Sequence, residues 1–349
     1  MRGGALLALV VAAPSAALVF ALVPLVLRAR WTERASSRLV ATSQLVVLLG
    51  WASLPVMGAF CLGEAIASWT GTPGMAGGPC WLGMDASSWR VLGYVLAAMA
   101  LVPLLVSLFR IGLCARRSEL GERLSRASSV LASPSGGKVF VLPTTEVAAY
   151  AGGLIRPRAV VTQGLVDPLT QKEKEAVCEH ELAHVRLGHP RVLLLAAAIR
   201  ASFGFLPPVR WAYDGLRRSL EASADEEALK WVGSSSLISA LARVALTQAS
   251  CAVANGGSSD PFFWLEPGVN FGDPEHLRYR LRKLQLSANH SSRAANLALT
   301  GVIALSVTVL SLSSCVFFNP SLSLAGLLAC TLVSLGLACR PVFEVRGMA

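Results

Sequence analysis

Apolar residues in this chain gather into long blocks instead of the short alternations of a water-soluble domain. Five blocks stand out: Ala5–Leu27, Leu39–Cys61, Val91–Phe109, Leu297–Phe318 and Leu322–Ala338. Each is close to or above the roughly 20 helical residues that cross a bilayer, the last being the shortest. Between the third and fourth blocks the pattern changes, and polar and apolar positions interleave over a stretch long enough for one globular core. The chain therefore divides into 1–113, with three expected spans and a short outer loop; 114–293, a globular domain; and 294–349, two spans and a tail. The expected fold class is a mainly α integral membrane protein, with about five transmembrane helices and an inserted α+β domain.

Inside the domain, ASPSGG (132–137) reads as a turn, KVFVL (138–142) as a strand, and RAVVTQGLV (158–166) as a second β-rich run. A helix is expected to start after Thr170, an N-cap whose partner three residues on is Glu173, and to stop at Gly188 before Pro190. The apolar run 192–206 carries Arg200 and Gly204 and is short for a span. A helix buried in the domain, one lying at the membrane surface and a re-entrant segment all fit it. A further helix is expected over about 209–232. The loop Asn255–Asp273 holds Phe262, Phe263 and Trp264, which suit a lid, a substrate contact or a membrane anchor equally.

Charge refines this picture. Only 15% of residues are charged, against about 25% in soluble domains. The net charge of +10 comes largely from arginines at the edges of the apolar blocks, such as Arg28, Arg30, Arg34 and Arg38, then Arg116 and Arg117, then Arg278, Arg280 and Arg282. The loop from Leu62 to Arg90 has one basic residue, at its end. The positive-inside rule then sets the N-terminus outside, and the domain and C-terminus in the cytosol. Contact with anionic lipid heads accounts for the excess better than nucleic acid does. Arg2 alone precedes the first block and the dense charge follows it, the reverse of a cleaved signal, so a retained span is expected. The eight cysteines form no CxxC, and Cys61 and Cys80, both expected outside, fit a disulfide and two free thiols equally. The spans carry almost no charge, which argues against a transporter.

The chemistry lies in His180-Glu181-Leu182-Ala183-His184. Residues at i and i+4 share a helix face, so both imidazoles can meet one metal ion, and Glu181 can reach a water on that ion. Two histidines and one carboxylate suit catalytic zinc, which keeps a position open for water. Glu181 then serves as the base, taking a proton from the attacking water and returning it to the leaving amine. The third ligand is Glu221, 37 residues beyond His184 on a separate helix. Asp225, one turn on, can hydrogen-bond the outer nitrogen of a ligating histidine. Glu226 and Glu227 read as a solvated face, His189 as a helix-end or interface residue, His276 and His290 as surface, and Cys178 as core.

The run VVTQGLVDPLTQKEKEAVCEHELAHVRLGHP, an apolar helix, LPPVRW and RRSLEASADEEAL resemble the BlaR/MecR-type membrane metallopeptidases over about 138–285. They are more distantly similar to the HtpX and CAAX-prenyl-protease gluzincins. The resemblance implies a zincin-like domain with one Zn2+ per chain held by His180, His184 and Glu221, Glu181 as base and Asp225 in support. It also implies that Val147–Gly153 is an edge strand on which a substrate backbone aligns, and that Arg280 is a candidate oxyanion stabiliser. An exposed juxtamembrane arginine is an equal reading of Arg280. The sensing members carry a penicillin-binding domain after the last span, whereas this chain ends at Ala349, so direct β-lactam sensing is not expected. The expected partners are the lipid bilayer and a protein substrate, either a winged-helix repressor of the BlaI type or the protease itself, with no direct nucleic acid. Membrane-protein quality control of the HtpX kind is the alternative. A non-enzymatic scaffold is the third reading, and the presence of all five polar residues opposes it.

Overall fold

Four short β-rich segments pair into one sheet in a computed structural model, which describes residues 20–23, 26–27, 30–70, 86–117, 129–153, 157–254, 274–287 and 292–318. The strands are β1 (Ser129–Ala132), β2 (Lys138–Leu142), β3 (Ala149–Gly152) and β4 (Arg158–Thr162). Their order is β1-β2-β4-β3, with β2 and β4 parallel and the outer pairs antiparallel. Alternation sorts the side chains: Val139, Val141, Ala159 and Val161 face the main core, while Phe140, Leu142, Tyr150 and Val160 form a small cluster on the other side. β2 covers the run expected as a strand. The second expected run is a strand only as far as Thr162. There the chain turns into one helical turn, Gln163–Val166, held by the Gly164 amide on the Thr144 carbonyl (2.9 Å). The segment expected as an edge strand holds β3, which lies at one edge of the sheet.

Three apolar helices make up the second body of the chain: α1 (Ser37–Thr70), α2 (Ala86–Arg117) and, after the domain, α8 (Arg293–Phe318). Among the described residues, two stretches are long and apolar enough to cross a membrane, Ser37–Pro55 in α1 and Val91–Phe109 in α2. α2 turns large apolar side chains outward, with Phe109 67% and Met99 61% exposed, as a lipid-facing helix does. Of the first expected span only Phe20–Val23, Val26 and Leu27 are described, and Phe20 and Val23 are buried in the same apolar cluster as α1. The fifth span, Cys80, the Phe262–Trp264 cluster and His290 lie outside the described residues.

The remaining helices carry the site: α3 (Gln171–Arg186), α4 (His189–Phe203), α5 (Pro207–Ala228), α6 (Ser234–Ala254) and α7 (Pro274–Ser287). α3 starts at the expected capping box, with the Thr170 amide donating to Glu173 Oε2 at 2.9 Å. It ends where Gly188 adopts φ 69°, a left-handed conformation that glycine tolerates best, and α4 leaves at 65° to α3 with Pro190 in its first turn. Counted together across that bend, α3 and α4 would raise the candidate spans to three. The charges on α3 (Lys172, Glu173, Lys174, Glu175 and Glu179) place it in the domain instead. α4 accounts for most of the 192–206 run. Its Leu193, Ala196, Ile199 and Phe203 pack with Val47 and Leu48 of α1 and Leu299 and Ile303 of α8. Arg200 does not interrupt it, because its guanidinium lies over the Tyr213 ring at 5.2 Å.

One expectation is overturned here. Glu226 and Glu227 do not form a solvated face. Glu226 accepts from the Ser37 hydroxyl at 2.7 Å, at the first turn of α1, and Glu227 pairs with Arg38 and Lys230. Buried Lys283 of α7 donates to the Glu33 carbonyl at 3.0 Å and to that of Ala35, with Glu226 3.9 Å away. The amides and dipole at a helix N-terminus attract carboxylates, and the sequence separation of these partners hid the match.

Glu173 ties the start of α3 to α6, accepting from the Ser239 hydroxyl at 2.5 Å, with Arg243 3.4 Å away. The Ser239 hydrogen bond and that of the Thr170 amide outweigh burial and lower its pKa from 4.5 to about 2. A depressed carboxyl stabilises the fold above its ordinary pKa, and that contribution is lost as pH falls towards the folded value. Glu173→Ala is expected to cost about 1–2 kcal/mol at neutral pH. Melting of the detergent-solubilised protein should show this gap, and the gap should shrink as pH falls from 4.5 towards 2.

Candidate active site

α3 and α5 pack with their polar faces together, which is why the HExxH residues and the acidic turn of α5 meet. His180, Glu221 and Asp225 are each 1% exposed and His184 5%. His180 Nε2 lies 3.1 Å from His184 Nε2 and 3.3 Å from Glu221 Oε2, and His184 Nε2 lies 3.2 Å from Glu221 Oε1. Both Glu221 oxygens are buried without a hydrogen bond. Ligand atoms about 2.0–2.1 Å from a tetrahedral ion stand roughly 3.3 Å apart, so this triangle has the dimensions of three zinc ligands. Two imidazoles and a carboxylate also suit zinc chemically, and a cation over the triangle would satisfy a carboxylate that has no hydrogen bond among the described residues.

The electrostatics favour positive charge at the same point. Burial and the Arg280 charge disfavour an imidazolium at His180, yet its contacts with Asp225 and Glu221 raise its pKa to about 9. Burial would push Glu221 up, but the neighbouring His184 and His180 hold it well below the carboxylate range. Glu181 goes the other way. It is 3% exposed, and burial raises its pKa although His184 and His180 pull it down. A carboxyl raised towards neutrality is suited to moving protons.

Each imidazole is steered by the nitrogen turned away from the triangle. His180 Nδ1 donates to Asp225 Oδ1 at 2.9 Å. Asp225 is gripped in turn by Arg280 of α7, whose Nε reaches Oδ2 at 2.7 Å and whose Nη2 reaches Oδ1 at 2.6 Å. Arg280 is 2% exposed, so the exposed juxtamembrane reading is corrected. A fork onto a carboxylate explains how a guanidinium can be buried there.

His184 has a partner that sequence reasoning assigned elsewhere. His184 Nδ1 lies 2.8 Å from His189 Nδ1, and His189 Nε2 lies 3.2 Å from the Ser223 hydroxyl. That hydroxyl donates to the Leu220 carbonyl at 2.9 Å, so its one proton is committed. His189 Nε2 must then donate to Ser223, His189 Nδ1 must accept, and His184 Nδ1–H must donate to it. The chain leaves a lone pair on His184 Nε2, aimed at the triangle. The bend at Gly188 folds His189 back onto His184, which helix spacing does not disclose; an HxxxxH spacing beginning at His184 was the available signal. Cys178 is buried and free, as expected of a core thiol. His276 lies in α7, whose first residues have no described side chains.

A helical domain with a small sheet and an HExxH–Glu triangle defines the zincin class of metallopeptidases. Residues 115–285, just under half of the chain, match the sequence model of Peptidase family M48. The chain is similar to "Protease HtpX homolog" of Aquifex aeolicus (strain VF5), at 35% identity over 89 residues, 24% of this chain and 30% of the relative. It is similar also to "Metalloprotease LoiP" of Escherichia coli (strain K12), at 38% identity over 77 residues, 21% of this chain and 29% of the relative. The chain thus spans under a third of the length of these curated relatives. No solved structure matches it.

The proton chain makes a distinct claim about affinity. His189→Phe removes the acceptor of His184 Nδ1–H, and Ser223→Ala releases His189 to take the other tautomer. Each is expected to weaken zinc binding about 10–100-fold, read by competition with a chromophoric chelator. Wild-type affinity in both variants would remove His189 from the site.

Proposed function

We propose that the chain is a membrane-embedded zinc-dependent endopeptidase, with the metal held by His180, His184 and Glu221. The observation that carries this is the buried triangle, in which Glu221 has no hydrogen bond of its own. A zinc ion held there supplies Lewis acidity, polarising the scissile carbonyl and lowering the pKa of a water. Glu181 takes the proton from the attacking water and passes it to the leaving amine nitrogen, which its burial-raised pKa favours. Asp225 keeps His180 with its proton on Nδ1. Arg280 has Nε and Nη2 on Asp225 and Nη1 3.4 Å from Glu221, so it acts as a positioning residue and not as an oxyanion donor.

The substrate reading follows from the sheet. α3 packs against β3 and β4, and among the described residues β3 has one side unpaired at the sheet edge. A substrate in extended form can add to that edge, which aligns its backbone beside the metal helix. A cytosolic or membrane protein is the proposed target. The resemblance of residues 138–285 to the BlaR/MecR type favours a regulatory cut in a winged-helix repressor, or self-cleavage. The similarity to an HtpX homologue favours broader action on membrane proteins. The apolar helices and the boundary arginines support a multi-pass place in the membrane with the domain in the cytosol.

Detergent-purified protein should carry about one zinc per chain, lost in His184→Ala and Glu221→Ala. Glu181→Gln should keep the metal and lose about 10²–10⁴ in peptide cleavage. A wild type that folds but takes up no zinc would leave only the scaffold reading. Cleavage of a repressor at one bond, set beside digestion of unfolded membrane proteins, separates the two substrate readings.

A further inference from the structure

A second concave site adjoins α5 and α7. It is a cavity of about 630 Å³ between the 3₁₀ turn Arg30–Arg34, the first turns of α1, and helices α5 and α7. None of His180, His184, Glu221, Asp225 and Arg280 lines it. Its size is that of a small-molecule pocket, of order 300–1,000 Å³.

The lining is sorted by chemistry. Arg218, Arg278 and Arg282 supply three positive charges against the single carboxylate of Glu33, which lies 3.6 Å from Arg282. Leu27, Val40 and Trp211 supply an apolar wall where two apolar blocks end. Gln44 of α1 lines the same space. It is 3% exposed, and its Oε1 is buried with no hydrogen-bond partner.

We propose that this cavity binds the head group of an anionic phospholipid. The arginines take the phosphodiester, as planar guanidinium groups do. The acyl chains leave along Leu27 and Val40 into the bilayer. Basic pockets at the cytosolic end of membrane helices recognise lipids in this way. The assignment rests on the membrane placement proposed above and is independent of the zinc chemistry. A water-soluble phosphate shares the same charge, so the test must separate the two sources.

Native mass spectrometry of the full chain from detergent, offered dioleoyl phosphatidylglycerol or dioleoyl phosphatidylcholine, reads this directly. Phosphatidylglycerol should be retained about tenfold over phosphatidylcholine. Arg278→Gln and Arg282→Gln, both at exposed positions, should each cut that preference about fivefold, with zinc content unchanged. Arg210→Gln, outside the cavity, should change neither. Equal retention of the two lipids, or full selectivity in the double variant, overturns the proposal. So does equal competition by glycerol phosphate, which would assign the cavity to a free phosphate. Release of the wild type from membranes by an alkaline wash would instead overturn the membrane placement beneath it.

Discussion

Burial of charge is the constraint around which this protein is arranged. Glu221 and Asp225 are both 1% exposed and one turn apart on the same helix, where two carboxylates would repel each other and each would lose its hydration. Two different solutions meet at this place. Asp225 receives a permanent cation, the Arg280 fork, together with the His180 N–H. Glu221 faces two imidazole nitrogens and, at 3.4 Å, Arg280 Nη1, with no hydrogen bond among the described residues, an arrangement that a shared cation would make more favourable.

Around this pair the fold acts mainly to hold directions. His180 is aimed by Asp225 on α5, and His184 by His189 at the head of α4 and Ser223 on α5. α5 therefore carries the carboxylate of the triangle and a support for each imidazole, and its neighbours α3, α4 and α7 each add at least one polar group. A helix that serves so many contacts cannot shift without disturbing all of them, which suits a site that needs fixed donor geometry.

The same helix is attached to the apolar helices. Directly after Asp225, Glu226 reaches the first turn of α1 and Glu227 pairs with Arg38, while Lys283, one turn beyond Arg280, holds the carbonyls that lead into α1. On the opposite side, α4 packs into the apolar cluster shared by α1 and α8. The catalytic helices and the apolar helices are thus one packed unit, in which the polar clasp gives orientation and the apolar cluster supplies most of the burial.

Local pattern by itself determined a good deal. The apolar blocks marked α1, α2 and α8; the Thr170–Glu173 pair marked the start of α3; the Gly188-His189-Pro190 run marked its end. The spacing of His180, Glu181 and His184 pointed to a metal face, and Glu221 and Asp225 stood out as acids one turn apart. Such features are legible because capping, helical period and bilayer thickness act over a few residues or one segment. Only the tertiary structure decided what lies across a helix interface: that Arg280 is buried on Asp225 and not exposed, that His189 turns back onto His184, that Glu226 and Glu227 hold α1 and not water, and that the 192–206 run packs on the apolar helices. Each of these joins groups set apart by a bend or by many residues. Its outcome depends on which buried charge finds which partner, and that is fixed by packing in three dimensions.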